Sequence, residues 1–199
     1  MPARQAARAA PTSALPGTIR KLSTVDRDDL LAHFKRLDAE SRHLRFGYAA
    51  STATLGRSAA EALASSGVAY GYFEEGRLRA VGEMYPLGGL FPTAAEAALS
   101  IEEQWQDSGL GTTLLGRLLL AGRNRGLSTL YMTCLPDNAR MQAVARKHAA
   151  ILRFDEGQVA GEIRQPYPTP FSLLIEAMDD GSALVMAALG APTGRMPGP

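Results

Sequence analysis

Gln106-Asp107-Ser108-Gly109-Leu110-Gly111 lies between a short alternating apolar run and a leucine-rich helix, and its reading decides the fold. Two glycines at a strand-to-helix junction let the backbone pass close to a ligand, and the first turn of a helix offers N–H groups with no intrahelical partner. Such a turn suits a pyrophosphate. The helix behind it is marked by Leu110, Leu114, Leu115, Leu118 and Leu119 on one stripe, by the polar breaks Arg117, Arg123 and Arg125, and by Gly126 as a C-terminal stop. A phosphate-bearing ligand would meet a fixed helix end at Ser108, Gly109, Leu110, Gly111 and Thr112. The glycine pair alone is equally the mark of an ordinary turn.

Two common nucleotide patterns do not fit. A dinucleotide fingerprint requires a third Gly or Ala where Leu114 stands, and the strand that follows, 128–134, ends without an acidic residue for a ribose. A P-loop requires Gly-Lys followed by Ser or Thr, which this sequence lacks.

The stretch does resemble the acetyl-CoA site of the GNAT superfamily of N-acyltransferases, whose motif runs Gln/Arg-x-x-Gly-x-Gly/Ala. Gln106, Gly109 and Gly111 match it, with Trp105 just ahead. Downstream, a strand at 129–134 and then Pro136-Asp137-Asn138-Ala139-Arg140-Met141 resemble the family's second cofactor segment, in which an Asn opens the next helix. Upstream, Ser41-Arg42-His43-Leu44-Arg45-Phe46 is similar to the segment after the first helix in GNAT domains related to bacterial protein-lysine acetyltransferases. The resemblance covers residues 17–165. It implies acetyl-CoA as the cofactor and a primary amine, of a small molecule or a protein lysine, as the acceptor. It implies a splayed sheet with a V-shaped cleft beside a β-bulge, backbone N–H groups near Ser100 or Ile101 for the thioester carbonyl, and Asn138 on the pantetheine arm. Glu96, within Ala95-Glu96-Ala97-Ala98, falls where the lysine-acetyltransferase-like branch carries a carboxylate near the thioester.

The chemistry needs such a group. A lysine amine with an ordinary pKa of about 10.4 is mostly protonated at neutral pH and cannot attack until a base takes its proton. Apolar neighbours isolate Glu96 in a strand expected to be buried, where desolvation would raise its pKa; the plainer alternative is a solvent-facing residue of an alternating strand. The family's usual general acid, a Tyr seven positions after the Asn, is replaced by Ala145, and its Gly-Phe by Ala149-Ala150. A thiolate leaving group, with a thiol pKa of about 8.5, departs without a dedicated acid. Asp107 and Ser108 stand where the family often has a basic residue or Gly.

Other polar residues carry weaker signals. Glu83 reads as structural, with a second base or substrate clamp as the alternative; Glu102 and Glu103 read as a solvated acidic patch or as a binder of cationic substrate. Asn138 is also an ordinary N-cap. Cys134 reads as a buried inert thiol, Arg42 and Arg45 as solvated surface, and His33, His43 and His148, at no metal-ligand spacing, are left unassigned.

The 199 residues, 46% hydrophobic, suffice for one sizeable core. A net charge of +1 gives no global attraction to nucleic acid or an anionic membrane. One cysteine excludes an internal disulfide framework and fits a reducing cytoplasm. No run of about 18 apolar residues occurs, and residues 1–16 lack the apolar core of a secretory signal and read as a flexible tail. Periodicity predicts strands at 18–22, 68–72, 78–84, 94–101, 129–134, 151–155 and 159–164, with hairpin turns at Glu75-Gly76 and Glu156-Gly157. It predicts helices at 26–37, 39–45, 59–65, from Leu110 to the Gly126 stop, and from Asn138 to about Ala149. The class is α+β (α/β), with a single mixed, mostly antiparallel central sheet flanked by helices. Residues 166–190 form a helical extension interrupted at Asp179-Asp180-Gly181, whose Leu173, Leu174, Ala177, Leu184, Val185, Ala188 and Leu189 pack on the sheet or join subunits in a possible homodimer; 191–199 read as a tail. Two further readings stay open beside the enzyme: a non-catalytic acyl-CoA-binding module and an interaction protein using the C-terminal helix.

Overall fold

The computed structural model describes residues 16–48, 50–64 and 66–190, with side chains as far as 181 in the last helix. The two expected tails lie outside the described residues but for Pro16, as do the side chains of Leu184, Val185, Ala188 and Leu189. In chain order the elements are β1 Thr18–Lys21, α1 Arg27–Arg36, α2 Ala39–Phe46, α3 Thr52–Ala62, β2 Val68–Glu74, β3 Arg77–Leu87 and β4 Ala94–Ile101. They continue with α4 Leu110–Asn124, β5 Thr129–Cys134, α5 Ala139–Lys147, β6 Ile151–Asp155, β7 Gln158–Arg164 and α6 Pro170–Gly190. The seven strands form one sheet in the order β1-β2-β3-β4-β5-β7-β6, antiparallel at every step except the parallel β4–β5 pair. This is the expected mixed, mostly antiparallel sheet.

The two Glu-Gly hairpins show how local sequence sets the register. Glu75 and Gly76 have φ of 51° and 72°, and Glu156 and Gly157 have 45° and 81°. Two successive left-handed residues make the tight turn whose twist matches the strands, and in each pair a glycine takes one of the positions without steric cost.

The sheet buries both faces of β2–β4. On one side α4 sets Leu110, Leu114, Leu115 and Leu118 against Tyr70, Tyr72, Ala80, Met84, Ala95 and Ala97. Each fully buried leucine contributes about 2 kcal/mol. Gly82 permits the approach, since a Cβ there would sit 3.2 Å from Leu114 and Leu118. On the other side Leu30, Phe34 and Leu37, with Leu55, Ala59 and Ala62 of α3, cover Leu78 and Val81.

Three expectations are corrected. The helix expected at 59–65 starts at Thr52, because Ser51 caps it by accepting the Thr54 N–H at 3.2 Å, and it ends at Ala62; Ser65 lies outside the described residues. α6 runs unbroken through Asp179-Asp180-Gly181, since Asp179 pairs with Arg117 at 3.0 Å and Asp180 accepts from Tyr70 at 3.4 Å. α6 packs on β1 and α4, but Leu173 and Leu174 face solvent and its polar side chains face the domain. The β3–β4 register passes without a shift; the irregularity lies in the β2–β3 pair, where Tyr72 and Phe73 face Ala80 and Leu78 and Arg79 of β3 is the extra residue. No helix among the described residues is long and apolar enough to cross a membrane.

Candidate active site

The site begins where a ladder stops. β4 pairs with β5 only at Ala94–Thr129, Ala95–Leu130 and Glu96–Tyr131, after which residues 97–101 of β4 pair with no strand on that side among the described residues. The Glu102 N–H donates to the Arg79 carbonyl at 3.0 Å, which fixes the phase of the β3–β4 ladder. Alternation then turns the backbone groups of Ala97, Leu99 and Ile101 toward the open side and the Ser100 N–H toward β3. Of the two positions expected to offer an N–H, Ile101 faces the cleft.

α4 closes the far end. Asp107 and Gly109 have φ of 56° and 89°, and Gly109 caps the helix without a side-chain bond. A Cβ on Gly109 would meet nothing within 4 Å, so this glycine serves its backbone conformation; one on Gly111 would lie 3.2 Å from Val144 and 3.3 Å from Ile101, so that glycine serves the contact of α4 with α5 and β4. The first helical bond closes at the Thr113 N–H, 3.0 Å from the Gly109 carbonyl, leaving the N–H groups of Leu110, Gly111 and Thr112 ahead of the ladder. The Leu110 side chain is buried in the core, so that residue has only its backbone to offer. The Ser108 hydroxyl is tied back to the Trp105 carbonyl at 2.5 Å. Gln106 pins the turn, donating from Nε2 to Ser41 Oγ at 2.9 Å and to the Ile101 carbonyl at 3.0 Å.

Between these elements runs a cleft. Ser41, Leu44 and Arg45 of α2 line one wall, Leu99, Ser100 and Ile101 the floor, and Asn138, Arg140, Met141 and Val144 the other wall, with Gln106 and Gly111 at the end. A second hollow continues it past Asp107, Gly109 and Thr112 toward Arg140, Ala143 and Lys147. Asn138 is a true N-cap, its Oδ1 accepting the Met141 N–H at 3.0 Å. Its Nδ2 has no partner among the described residues. Arg140 offsets the carboxylate in the turn, its Nε 3.4 Å from Asp107 Oδ2 with both groups exposed. His148 Nε2 lies 2.9 Å from the Thr112 carbonyl and holds the end of α5 on the first turn of α4.

Glu96 sits at the apex, on the last rung before β4 and β5 part, between Tyr85 of β3 and Tyr131 of β5. It is half-buried rather than buried, and makes no hydrogen bond or ion pair among the described residues. Glu83, one rung deeper on the same face, is the opposite case. Fully buried, it is bound through Oε2 by Arg45 Nη2 and by the Tyr85 hydroxyl, the latter at 3.2 Å. Burial alone would lower the Arg45 pKa, but Glu83 and Tyr85 together raise it; burial and Glu83 push the Tyr85 phenol far up, leaving it a neutral donor. Arg45, expected on a solvated surface, is therefore a mostly buried ion-pair partner.

One constellation was not anticipated. His33 is completely buried on α1, with Nδ1 3.2 Å from Glu102 Oε1 and Nε2 3.0 Å from Ser100 Oγ. Glu102, expected in a solvated patch, is buried and also binds Arg36 at 2.8 Å and Arg79 at 3.1 Å. Burial would raise its pKa, but His33 and then Arg36 hold it below the usual carboxylate range. An ionised carboxylate only accepts, so Nδ1 donates to Glu102, and Nε2 lies within hydrogen-bond distance of Ser100 Oγ. The signal was available: His33 lies three residues after Leu30 and four before Leu37 on the buried face of α1. Glu103 is exposed, Cys134 is half-buried with its thiol pushed up by burial, and no metal-binding cluster occurs among the described residues.

The same architecture recurs in solved structures. The GNAT domain of S. lividans PAT superposes with a TM-score of 0.67 at 20% identity, covering 75% of this chain and 90% of that one. The ribosomal-protein-S18-alanine N-acetyltransferase from Escherichia coli gives 0.60 at 16%, covering 77% and 97%. A cAMP-binding acyltransferase from Mycobacterium smegmatis gives 0.54 at 20%, covering 85% of this chain and 51% of that one. At these identities the likeness is one of fold. The sequence itself matches the acetyltransferase (GNAT) family over residues 33–150, which takes in the β4 edge, the glycine turn and the Asn138 cap. A parted strand pair facing a bare helix N-terminus, in a chain with that match, places this protein in the GNAT acetyltransferase family.

Proposed function

We propose that this chain transfers an acetyl group from acetyl-CoA to a primary amine, of a small molecule or a protein lysine, by direct attack with Glu96 as general base. The observation that carries the reading is the meeting, in one cleft, of an unpaired β4 edge and the uncapped start of α4. Glu96, on the last rung before the strands part, stands outside the lining of that cleft, three residues before Leu99 of its floor. The residues present fit the cosubstrate. The N–H groups of Leu110, Gly111 and Thr112 suit its pyrophosphate, with open space over Gly109 and with Arg140 and Lys147 lining the adjoining hollow. The Leu99 and Ile101 backbone and the free amide of Asn138 suit the pantetheine arm, and Gln106 and Ser108 hold the turn in shape.

Acetyl-CoA supplies the activated acyl group as a thioester. The β4 edge orients the carbonyl, and an N–H of Leu99 or Ile101 stabilises the negative charge that develops on its oxygen. Glu96 takes the proton from the amine nitrogen, directly or through a water. Glu83 is poorly placed for that task, because Arg45 already neutralises it. The thiolate leaves without a dedicated acid, consistent with Ala145 in place of the family's Tyr.

The test is acetyl transfer to a panel of amines and lysine peptides by the wild type and by Glu96→Gln. The variant keeps cofactor affinity and loses about 10²–10⁴-fold in rate, the usual range for removing a general base. Its defect shrinks as pH rises toward the amine's own pKa of about 10.4. Wild-type rates in the variant across that range would remove Glu96 from the mechanism, and CoA binding without transfer to any amine would favour the non-catalytic module.

A further inference from the structure

The polarity of α6 is inverted. Its polar side chains face the domain. Ser172 donates to Asn124 Oδ1 at 2.6 Å, Asn124 Nδ2 donates to Glu176 at 2.7 Å, and Arg125 pairs with Glu176 at 2.7 Å. Arg117 pairs with Asp179 at 3.0 Å, and Tyr70 donates to Asp180 at 3.4 Å. Most of its large apolar side chains face out: Phe171, Leu174 and Met178 are 70%, 55% and 65% exposed, Leu173 is exposed beside them, and Ile175 is half-buried. A helix on the surface of a monomer has the opposite arrangement, and an apolar stripe left outside marks a contact surface.

The spacing of the stripe narrows the occupant. Positions 171, 174 and 178 step by three and then four, and in the sequence the same step continues through Gly181, Val185 and Ala188. That is the a/d seam of paired helices, whose side chains need the holes of a facing helix. Residues 1–15 and 191–199 are too poor in large apolar side chains to supply it. Among residues 1–15 only Met1 and Leu15 are large and apolar, and among 191–199 only Met196. A lipid surface fits poorly as well, since residues 170–190 contain no Lys or Arg, the residues that flank the apolar face of an interfacial helix.

We propose that a second copy of this chain covers the stripe, α6 against α6 about a two-fold axis. The stripe serves as its own complement, and it carries no charge that pairing would bury. The acids of the helix, turned inward onto Arg117, Arg125 and Tyr70, do not face one another across the seam. α6 lies against β1 and α4, whereas the cleft opens between β4 and α5, so both clefts of the pair stay accessible.

The test is sedimentation of the full chain over about 1–100 μM, where association depends on concentration by mass action. The wild type runs as a dimer, and Leu174→Asp with Met178→Asp raises the dissociation constant at least 100-fold without lowering the melting temperature of the monomer, because both side chains are solvent-facing in it. Leu174→Ile with Met178→Leu keeps the dimer. A wild type that stays monomeric throughout, or a double-Asp variant that dimerises as well as wild type, overturns the proposal. Co-sedimentation of the wild type with phosphatidylcholine vesicles, lost in the double-Asp variant, overturns it in favour of lipid.

Discussion

The two halves of the sheet are built differently. From β1 to β4 the ladders are long and antiparallel, and helices cover both faces of the central strands. From β5 through β7 to β6 the packed helix is α5, and Tyr131, Ile151 and Phe154 show apolar surface to solvent. In the sheet, the ladder that joins the halves has only three residue pairs. The closed half holds the fold together, and the joint, where backbone hydrogen bonding is given up, leaves N–H groups free for a ligand. The open half then forms a floor beside Glu96, since Tyr131 and Glu162 continue its rung across the sheet.

Stability should break in the closed half first. Glu102→Gln removes the buried charge that the exposed Arg36 and the half-buried Arg79 share, so it should cost about 1–2 kcal/mol. CoA affinity should change little. Denaturant melts read the first quantity and calorimetry the second; an unchanged midpoint would show that the network is dispensable.

The comparison also has a pH form. Asp26, Asp38 and Glu102, all in the closed half, are held below their ordinary pKa against the pull of burial, by Arg20, Ser41 and His33 in turn. Their contribution is complete above the unfolded carboxylate values of about 4 and is lost as pH falls through the lowered folded values. Hydrogen exchange followed below about pH 4 should therefore show the amides of α1 and β1 opening before those of β5 and β7. The reverse order would place the acid-sensitive contacts elsewhere.

Two substitutions sharpen the role of the joint. Gly109→Val puts a β-branched residue at a φ of 89° and should weaken CoA binding at least about tenfold with the fold intact. Unchanged affinity in calorimetry would remove the turn from the phosphate site. Tyr131→Ala, on the open floor, should raise KM for the amine several-fold while leaving kcat nearly unchanged, because it removes a surface beside Glu96 and no proton acceptor. A fall in kcat with KM fixed would contradict that placement.

The glycine turn, the Glu-Gly hairpins and the strand preceding Asn138 were legible because each rests on local chemistry: a conformation only glycine takes readily, an alternation, a cap. The Ser100–His33–Glu102 chain was not, since its members stand 67 and 69 residues apart and only folding joins them. The orientation of α6 is hidden in the sequence for a related reason. Its apolar residues mark a face but do not say which side the domain occupies, and the arginines and asparagine of α4 that turn the acids inward are distant in sequence. Glu83 and Glu96 look alike in the sequence, and Arg45, brought in by α2, is what separates them.

The central claim is that the parted joint between β4 and the start of α4 holds acetyl-CoA. Amide chemical shifts recorded during a titration with CoA test it residue by residue. The largest changes should fall at Leu99, Ile101, Gly109 to Thr112 and Asn138, with β6 and the outer edge of β7 unmoved. Saturable binding that leaves those amides in place, or shifts centred on another surface, would contradict it.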